Sequence, residues 1–473
     1  MSDLKSLFKH TRNYFFANIA TKALAFISIP VYTRMLTISE YGIINVFLSV
    51  SSIAAVLLSL NSEVAISRYY FDAESIEDFK EFVGTSVVLT TIIFVSMSVL
   101  GIFCVPYISG ILNFPYILTL SVIPVALYNK ISSIFTQIYQ PLLQSRKVAL
   151  VISIYSYLAF FLSALFIWYL DEKKYYGYVF GSVVTMFLIG AYLFKQIKEY
   201  CVLSLKINHI KYILSFCIPY IPYTLSGIII AQFARIFIGT YEGYDSAGIY
   251  SLANNIAALM LIVVMTTHEA WNPYYFKYMN ANDHESLAKD YGLIWRVSLI
   301  AGLFISLFAQ EGGLILAGPQ YERSLYICPI LVLGYLFYQW AYVYLRNSGY
   351  AKKNIWNAYA VIICGVVNII LNAILIPISS DLGGALSLSI SYFIMMMVSY
   401  IFNKKILKLY APHFFLFLKL LLLYLPFSYI SILFYFIGFS LVLLPIKVII
   451  FLLFIYFMIQ PFKYKIVKLL RHY

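Results

Sequence analysis

Residues 42–63 read GIINVFLSVSSIAAVLLSLNSE, and residues 248–269 read GIYSLANNIAALMLIVVMTTHE. Each stretch opens on Gly-Ile, closes on Glu and holds no Asp, Glu, Lys or Arg between those ends. About twenty such residues are what an α-helix needs to cross roughly 30 Å of hydrocarbon. Inside that layer the backbone must satisfy its own hydrogen bonds, so the stretches are helices. The glycine-to-glutamate distance is the same in both (63 − 42 = 21 and 269 − 248 = 21), which makes them copies at an offset of 206. The basic pairs Arg146-Lys147 and Lys352-Lys353 keep that offset, and Tyr69-Tyr70-Phe71 and Tyr274-Tyr275-Phe276 lie 205 apart. Arg34 and Arg235 lie 201 apart, which implies a five-residue insertion in the later loop.

Apolar stretches of the same kind fill the rest of the chain. They fall at 13–34, 82–105, 116–139, 148–170 and 178–195, then at 212–238, 291–316, 326–346, 355–378 and 382–402, with two more at 412–436 and 441–462. The expected fold is an all-α integral membrane protein of about 14 transmembrane helices. Two parallel-repeat six-helix bundles, residues 1–205 and 206–405, surround a central cavity, and residues 406–473 add two further helices and a tail. Composition agrees: 62% of the 473 residues are hydrophobic and 11% charged, where a soluble domain carries roughly 25% charged residues. The connections are too short for a folded extramembrane lobe, which argues against enzymes that need a soluble catalytic domain.

The net charge of +13 would suggest nucleic acid in a soluble chain. Here the basic residues sit in short clusters between apolar stretches, with no basic domain, so membrane lipids are the expected partner and nucleic acid is not. With the N-terminus inside, about 23 Lys and Arg fall in cytoplasmic segments and 4 in outer ones. That asymmetry predicts cytoplasmic N- and C-termini and an even number of spans. The five cysteines, Cys104, Cys201, Cys217, Cys328 and Cys364, have no metal or redox spacing. Phosphate loops, zinc clusters and nucleophile elbows are missing as well, so no catalytic residue, metal or cofactor is expected.

Ile29-Pro30-Val31-Tyr32-Thr33-Arg34 followed by Ser39-Glu40-Tyr41-Gly42-Ile43 resembles the opening of the polysaccharide transporters, and so does Arg235-Ile236-Phe237-Ile238-Gly239 followed by Ala247-Gly248-Ile249-Tyr250-Ser251. These are the Wzx-type O-antigen flippases of the multidrug/oligosaccharidyl-lipid/polysaccharide superfamily. The resemblance takes in nearly the whole chain through span number, orientation and duplicated halves. It implies a non-enzymatic flippase of the bacterial inner membrane. Its substrate would be an undecaprenyl-diphosphate-linked oligosaccharide, an O-antigen or similar repeat unit, moved by alternating access. An O-antigen polymerase and a chain-length regulator are the protein partners it implies. The alternatives are a cation-coupled multidrug exporter of the same superfamily, with twelve spans and a conspicuous acidic site, and an integral-membrane O-antigen polymerase, with a large periplasmic loop.

A charge in the hydrocarbon is unfavourable unless it faces a wet cavity or a partner. Lys22 lies mid-span 1, on one helix face with Asn18 and Thr21. Its ammonium suits a diphosphate. Arg235, one turn after Gln232 near the end of span 7, and Lys130, beside Asn129 in span 4, complete the substrate-binding set of Lys22, Arg235, Lys130 and Asn18. For Lys130 an intrahelical or interhelical pair is the competing reading. Glu63, Glu269 and Glu311 are the gating or coupling candidates. The first two are repeat-related and would form an inner gate with Arg68 or Lys277, or bind a coupling proton. Arg296, Lys419 and Lys447 lie near span ends and read as snorkelling interface anchors. Asn368 and Asn372, spaced i, i+4, read as helix–helix hydrogen bonding.

Overall fold

The computed structural model describes residues 24, 26–412, 414–438 and 442–470, with side chains to residue 459 except those of 324 and 416. Among the described residues every regular element is helical. The chain packs as two compact units, Met1–Gly248 and Ile249–Tyr473.

In the first unit, helix α1 (26–35) leads to α2 (Ile38–Ser59), the short α3 (Val64–Tyr69) and α4 (Ile76–Leu112). Then come α5 (Tyr116–Leu120), α6 (Val122–Tyr139), α7 (Ser145–Tyr169), α8 (Tyr175–Lys198), α9 (Ile207–Tyr241) and the first turn of α10 (Tyr244–Ala257). Local chemistry sets the helix starts. Thr37 caps α2 by accepting from the Glu40 amide at 3.2 Å, and the Glu40 carboxylate accepts from the Thr37 amide at 3.0 Å, a reciprocal capping box. Ser75 caps α4 by accepting from the Asp78 amide at 3.1 Å, with Glu77 and Asp78 favouring the positive end of that helix. Leu60 and Asn61 at the end of α2 take left-handed φ values of 51°, which turns the chain into α3.

The second unit continues with α11 (Leu259–Asn280), α12 (His284–Leu307), α13 (Ala309–Ala317), a 3-10 segment (Pro319–Ile327) and α14 (Cys328–Tyr350). It ends with α15 (Ile355–Phe402), a π turn (Asn403–Leu407), α16 (Phe414–Ile437) and α17 (Leu443–Leu470). Helix α15 is two spans. The chain breaks at Ser379 and Ser380, the latter at φ 48° and ψ −120°. Its arms are joined by Asn368, whose Nδ2 donates to Ser391 Oγ at 3.2 Å, while Asn372 Nδ2 donates to Asn368 Oδ1 on its own arm at 2.9 Å. Trp295, Trp340 and Phe417 fill the core where α12, α14 and α16 meet, with the Trp340 and Phe417 rings edge-on at 3.5 Å.

Among the described residues, eleven helical stretches are long and apolar enough to cross a membrane, one of them the double α15, and Leu443–Ile459 is a shorter apolar helix. A helix thus stands at each expected span from the second to the fourteenth. The first expected span lies largely outside the described residues. The chain is a multi-pass α-helical membrane protein. Its packing divides after Gly248, and α9 packs on α2 and α4.

Helices α7 and α8 form a tight hairpin through Gly177 and Gly181, small residues one turn apart that let backbones approach. A Cβ on Gly181 would lie 2.4 Å from Ser163 Cα. Gly181→Val is therefore expected to destabilise the protein by about 1–3 kcal/mol through overpacking. Gly190→Val on the same helix meets nothing within 4 Å and should be silent. Thermal unfolding in detergent compares the two, and equal midpoints would exclude the close contact.

Candidate functional site

The first unit carries a half-open cavity of about 420 Å³ walled by α1, α2, α6, α7 and α8. Among the described residues, ten of the seventeen that line it carry a hydroxyl or an amide and none is charged, so these walls offer neutral hydrogen-bonding groups. Tyr32 stands on one wall, edge-on to Phe160 at 5.7 Å and to Tyr178 at 5.5 Å.

Beside Asn129, which lines that cavity, Lys130 is buried at 4% exposure and ion-paired with Glu63. The left-handed turn after α2 delivers Glu63 to this position. Lys130 Nζ also donates to Ser62 Oγ at 3.2 Å, Ser133 Oγ donates to Glu63 Oε1 at 3.0 Å, and Ser62 Oγ lies 2.5 Å from Thr90 Oγ1. The network ties the α2–α3 turn to α4 and α6. Burial without water leaves an ion pair dependent on such hydrogen bonds. Of the two readings of Lys130, the structure realises the interhelical pair. The partner of Glu63 is Lys130, not Arg68, whose guanidinium lies 3.6 Å from Asp72 on the exposed face.

Arg235 on α9 donates from Nη1 to Gln232 Oε1 at 2.9 Å, and Ser49 Oγ of α2 lies 3.0 Å from the same oxygen. Lys22 and Asn18 lie outside the described residues.

In the second unit Glu311 is buried and accepts from Lys447 Nζ at 2.6 Å. Lys447, at 2% exposure, is therefore no snorkelling anchor: α13 brings it a carboxylate inside the bundle. Lys419 is exposed, as an anchor would be. Glu269 is exposed, while its neighbour His268 is buried with its ring 4.3 Å from that of Tyr342.

Two clusters escaped the sequence reading. In the second unit Arg346 Nη2 donates to the His268 carbonyl at 3.0 Å, and its guanidinium lies over the rings of Trp271, Tyr275 and Tyr342 at 5.2, 5.4 and 5.7 Å. Such stacking suits the weakly hydrated guanidinium. The spacing i, i+4 of Trp271 with Tyr275, and of Tyr342 with Arg346, was the available signal. In the first unit Tyr69 donates to Asp78 Oδ2 at 2.8 Å while buried His209 sits 3.4 Å from Asp78 Oδ1. Both aromatic triplets of the repeat thus serve as tethers, through Tyr69 in one and through Tyr275, which donates to Asn347 Oδ1 at 2.5 Å, in the other. Near the start of α9, Lys206 pairs with Glu81, whose hydrogen bond holds the ammonium pKa above its usual value. Among the described residues no group of three or more His, Cys, Asp or Glu side chains comes together as a metal ion would need.

The sequence matches the family described as Polysaccharide biosynthesis protein over residues 7–279. An Lsg locus protein of Haemophilus influenzae is 25% identical over 290 residues, 57% of this chain. The chain spans 66% of that relative's length, just under two thirds. Among solved structures, the lipid II flippase MurJ in an inward closed conformation superposes with a TM-score of 0.69 at 15% identity, over 95% of this chain and 99% of that one. An inward-facing multidrug resistance transporter of the MATE family, in the MOP superfamily, gives 0.66 at 14% identity, over 82% and 94%. At such identities the likeness is one of fold.

Proposed function

Because the chain belongs to the polysaccharide biosynthesis protein family, we propose that it is a flippase and no enzyme. Its cargo is an undecaprenyl-diphosphate-linked oligosaccharide, an O-antigen or similar repeat unit, carried from the cytoplasmic to the periplasmic leaflet of the bacterial inner membrane. The observation that carries this reading is the fold likeness that takes in 99% of a flippase of lipid II. An O-antigen polymerase would act downstream as a partner, with a chain-length regulator.

The mechanism is alternating access, with repeats 1–205 and 206–405 rocking as bundles. The head group must be covered by polar groups as it crosses, since an unpaired charge in hydrocarbon is strongly unfavourable. Lys22, Asn18 and Arg235 meet the diphosphate. Lys130 is held by Glu63, so it joins the substrate only in a state that opens this pair, which gives Glu63 its gating role. Glu311 takes a coupling role only if it leaves Lys447, and Glu269 is the repeat-related counterpart of Glu63. The polyprenyl tail stays in lipid, with the helices of 406–473 beside it.

Deleting the gene should trap undecaprenyl-linked units on the cytoplasmic leaflet and remove surface polysaccharide. Expression of the Lys22→Ala variant at wild-type level should fail to restore it. Normal lipid-linked pools after deletion would sink the flippase reading. A cation-coupled multidrug exporter is favoured by the MATE likeness, and it predicts drug sensitivity with intact polysaccharide. Short unpolymerised units at the surface would indicate a polymerase.

A further inference from the structure

We propose that the cavity of the first unit is a subsite for a neutral sugar ring of the head group and not for its diphosphate. This deepens the flippase reading and rests on it.

The chemistry of the wall selects the ligand. Ser52 donates to the Leu48 carbonyl at 2.8 Å and Ser156 to the Ile152 carbonyl at 2.8 Å. Ser182 and Ser163 both donate to the Tyr178 carbonyl, at 2.9 and 3.1 Å. A hydroxyl has one proton and two lone pairs. With the protons spent on backbone, Ser52, Ser156 and Ser182 keep lone pairs for a ligand, while Ser163 also bonds Tyr32. A phosphate brings only acceptors and gains nothing from these serines. A pyranose brings several O–H donors and fits them. Ser51 adds the reverse function: it lines the cavity at 2% exposure, and its hydroxyl has no partner among the described residues. A buried hydroxyl in that state is unfavourable until something bonds it. Asn129 offers both donors and an acceptor.

Other occupants match less well. An alkyl tail would leave Ser51 and the acceptor wall unsatisfied. An organic cation would find acceptors and aromatic rings, but among the described residues no carboxylate lines the cavity. A bare metal ion is far smaller than a space of about 420 Å³, a volume in the range of about 300–1,000 Å³ that small-molecule sites occupy. Among the described residues neither Lys130 nor Arg235 lines the cavity. Tyr32, Phe160 and Tyr178 supply ring surfaces of negative π density, against which the polarised C–H bonds of a sugar pack.

The test uses the full chain in lipid nanodiscs with three probes: a short-chain polyprenyl diphosphate bearing one neutral hexose, the same diphosphate without sugar, and tetraphenylphosphonium. The wild type should bind the hexose-bearing probe about tenfold more tightly than the bare one, the equivalent of one or two added hydrogen bonds. Ser51→Ala and Ser156→Ala should each remove most of that increment and leave binding of the bare diphosphate unchanged. Ser51→Ala deletes a hydroxyl without a described protein partner, so its thermal midpoint should not fall, and a merely structural role would not move sugar affinity. Equal binding of the two diphosphates by the wild type, or equal loss of both in the variants, would overturn the subsite while leaving the flippase reading intact. Tighter binding of tetraphenylphosphonium, sensitive to Ser51→Ala, would assign the cavity to an organic cation instead. Binding of neither diphosphate, with normal lipid-linked pools after deletion, would overturn both proposals together.

Discussion

Gly42→Val is expected to abolish extractable folded protein, with Gly42→Ala intermediate. A Cβ at position 42 would lie 1.9 Å from the Tyr244 carbonyl oxygen and 2.9 Å from the Gly248 amide nitrogen. A Cβ on Gly248 would lie 2.4 Å from the Ile38 carbonyl oxygen. The first turns of α2 and α10 therefore touch backbone to backbone, and neither obstacle is a side chain that could rotate away. Both turns are also held from other directions. The capping box of Thr37 and Glu40 fixes the start of α2. Tyr244 donates to the Leu112 carbonyl, and its ring stacks on Phe114 at 5.3 Å. Overpacking typically destabilises by about 1–3 kcal/mol, and occasionally more. Here the loss should exceed that range. Size-exclusion profiles of the detergent-extracted protein measure it, with Gly227→Val, where nothing lies within 4 Å, as the control. A monodisperse Gly42→Val protein at wild-type yield would rule out the crossing.

That glycine pair shows how far the sequence is legible. Gly42 and Gly248 are visible as landmarks of a repeat, because both open uncharged stretches of the same length. Their mutual contact is not visible, since register along a chain says nothing of which turns meet. The span pattern reads well for a similar reason: twenty uncharged residues have one low-energy fate in lipid. Partner choice reads poorly. Arg68 is five residues from Glu63 in sequence, yet the buried partner is Lys130 on α6. Lys447 sits close enough to a span end to reach water by its stem, and only the neighbouring α13 decides otherwise. The cavity serines are the hardest case. Ser51 and Ser156 look like any serine in an apolar helix, and the wall they share appears only once α2 and α7 are packed. By contrast, Asn368 and Asn372 were readable, because their i, i+4 spacing alone puts them on one face.

Lys130→Ala is expected to destabilise the first unit by about 3–5 kcal/mol, the loss that follows when one member of a buried pair is removed. Glu63, at 5% exposure, would be left without its counter-charge among α2, α4 and α6, with Ser133 as its donor among the described residues. Glu63→Ala should do comparable damage by stranding the ammonium at 4% exposure. The double substitution Lys130→Met with Glu63→Gln removes both charges and keeps the volumes. It should therefore recover most of the stability, since well-packed neutral residues often replace a buried pair without loss. Arg68→Ala, which breaks only the exposed pair with Asp72, should change stability by less than about 1 kcal/mol. Thermal midpoints of the four purified variants test this, and additive losses in the double variant would contradict a direct pair. The same double variant separates structure from gating. If the pair only holds helices together, restoring stability should restore surface polysaccharide in a deletion strain. If transport requires the pair to open and close, the stable double variant has no charge left to switch. It should then accumulate in the membrane at wild-type level while surface polysaccharide stays absent.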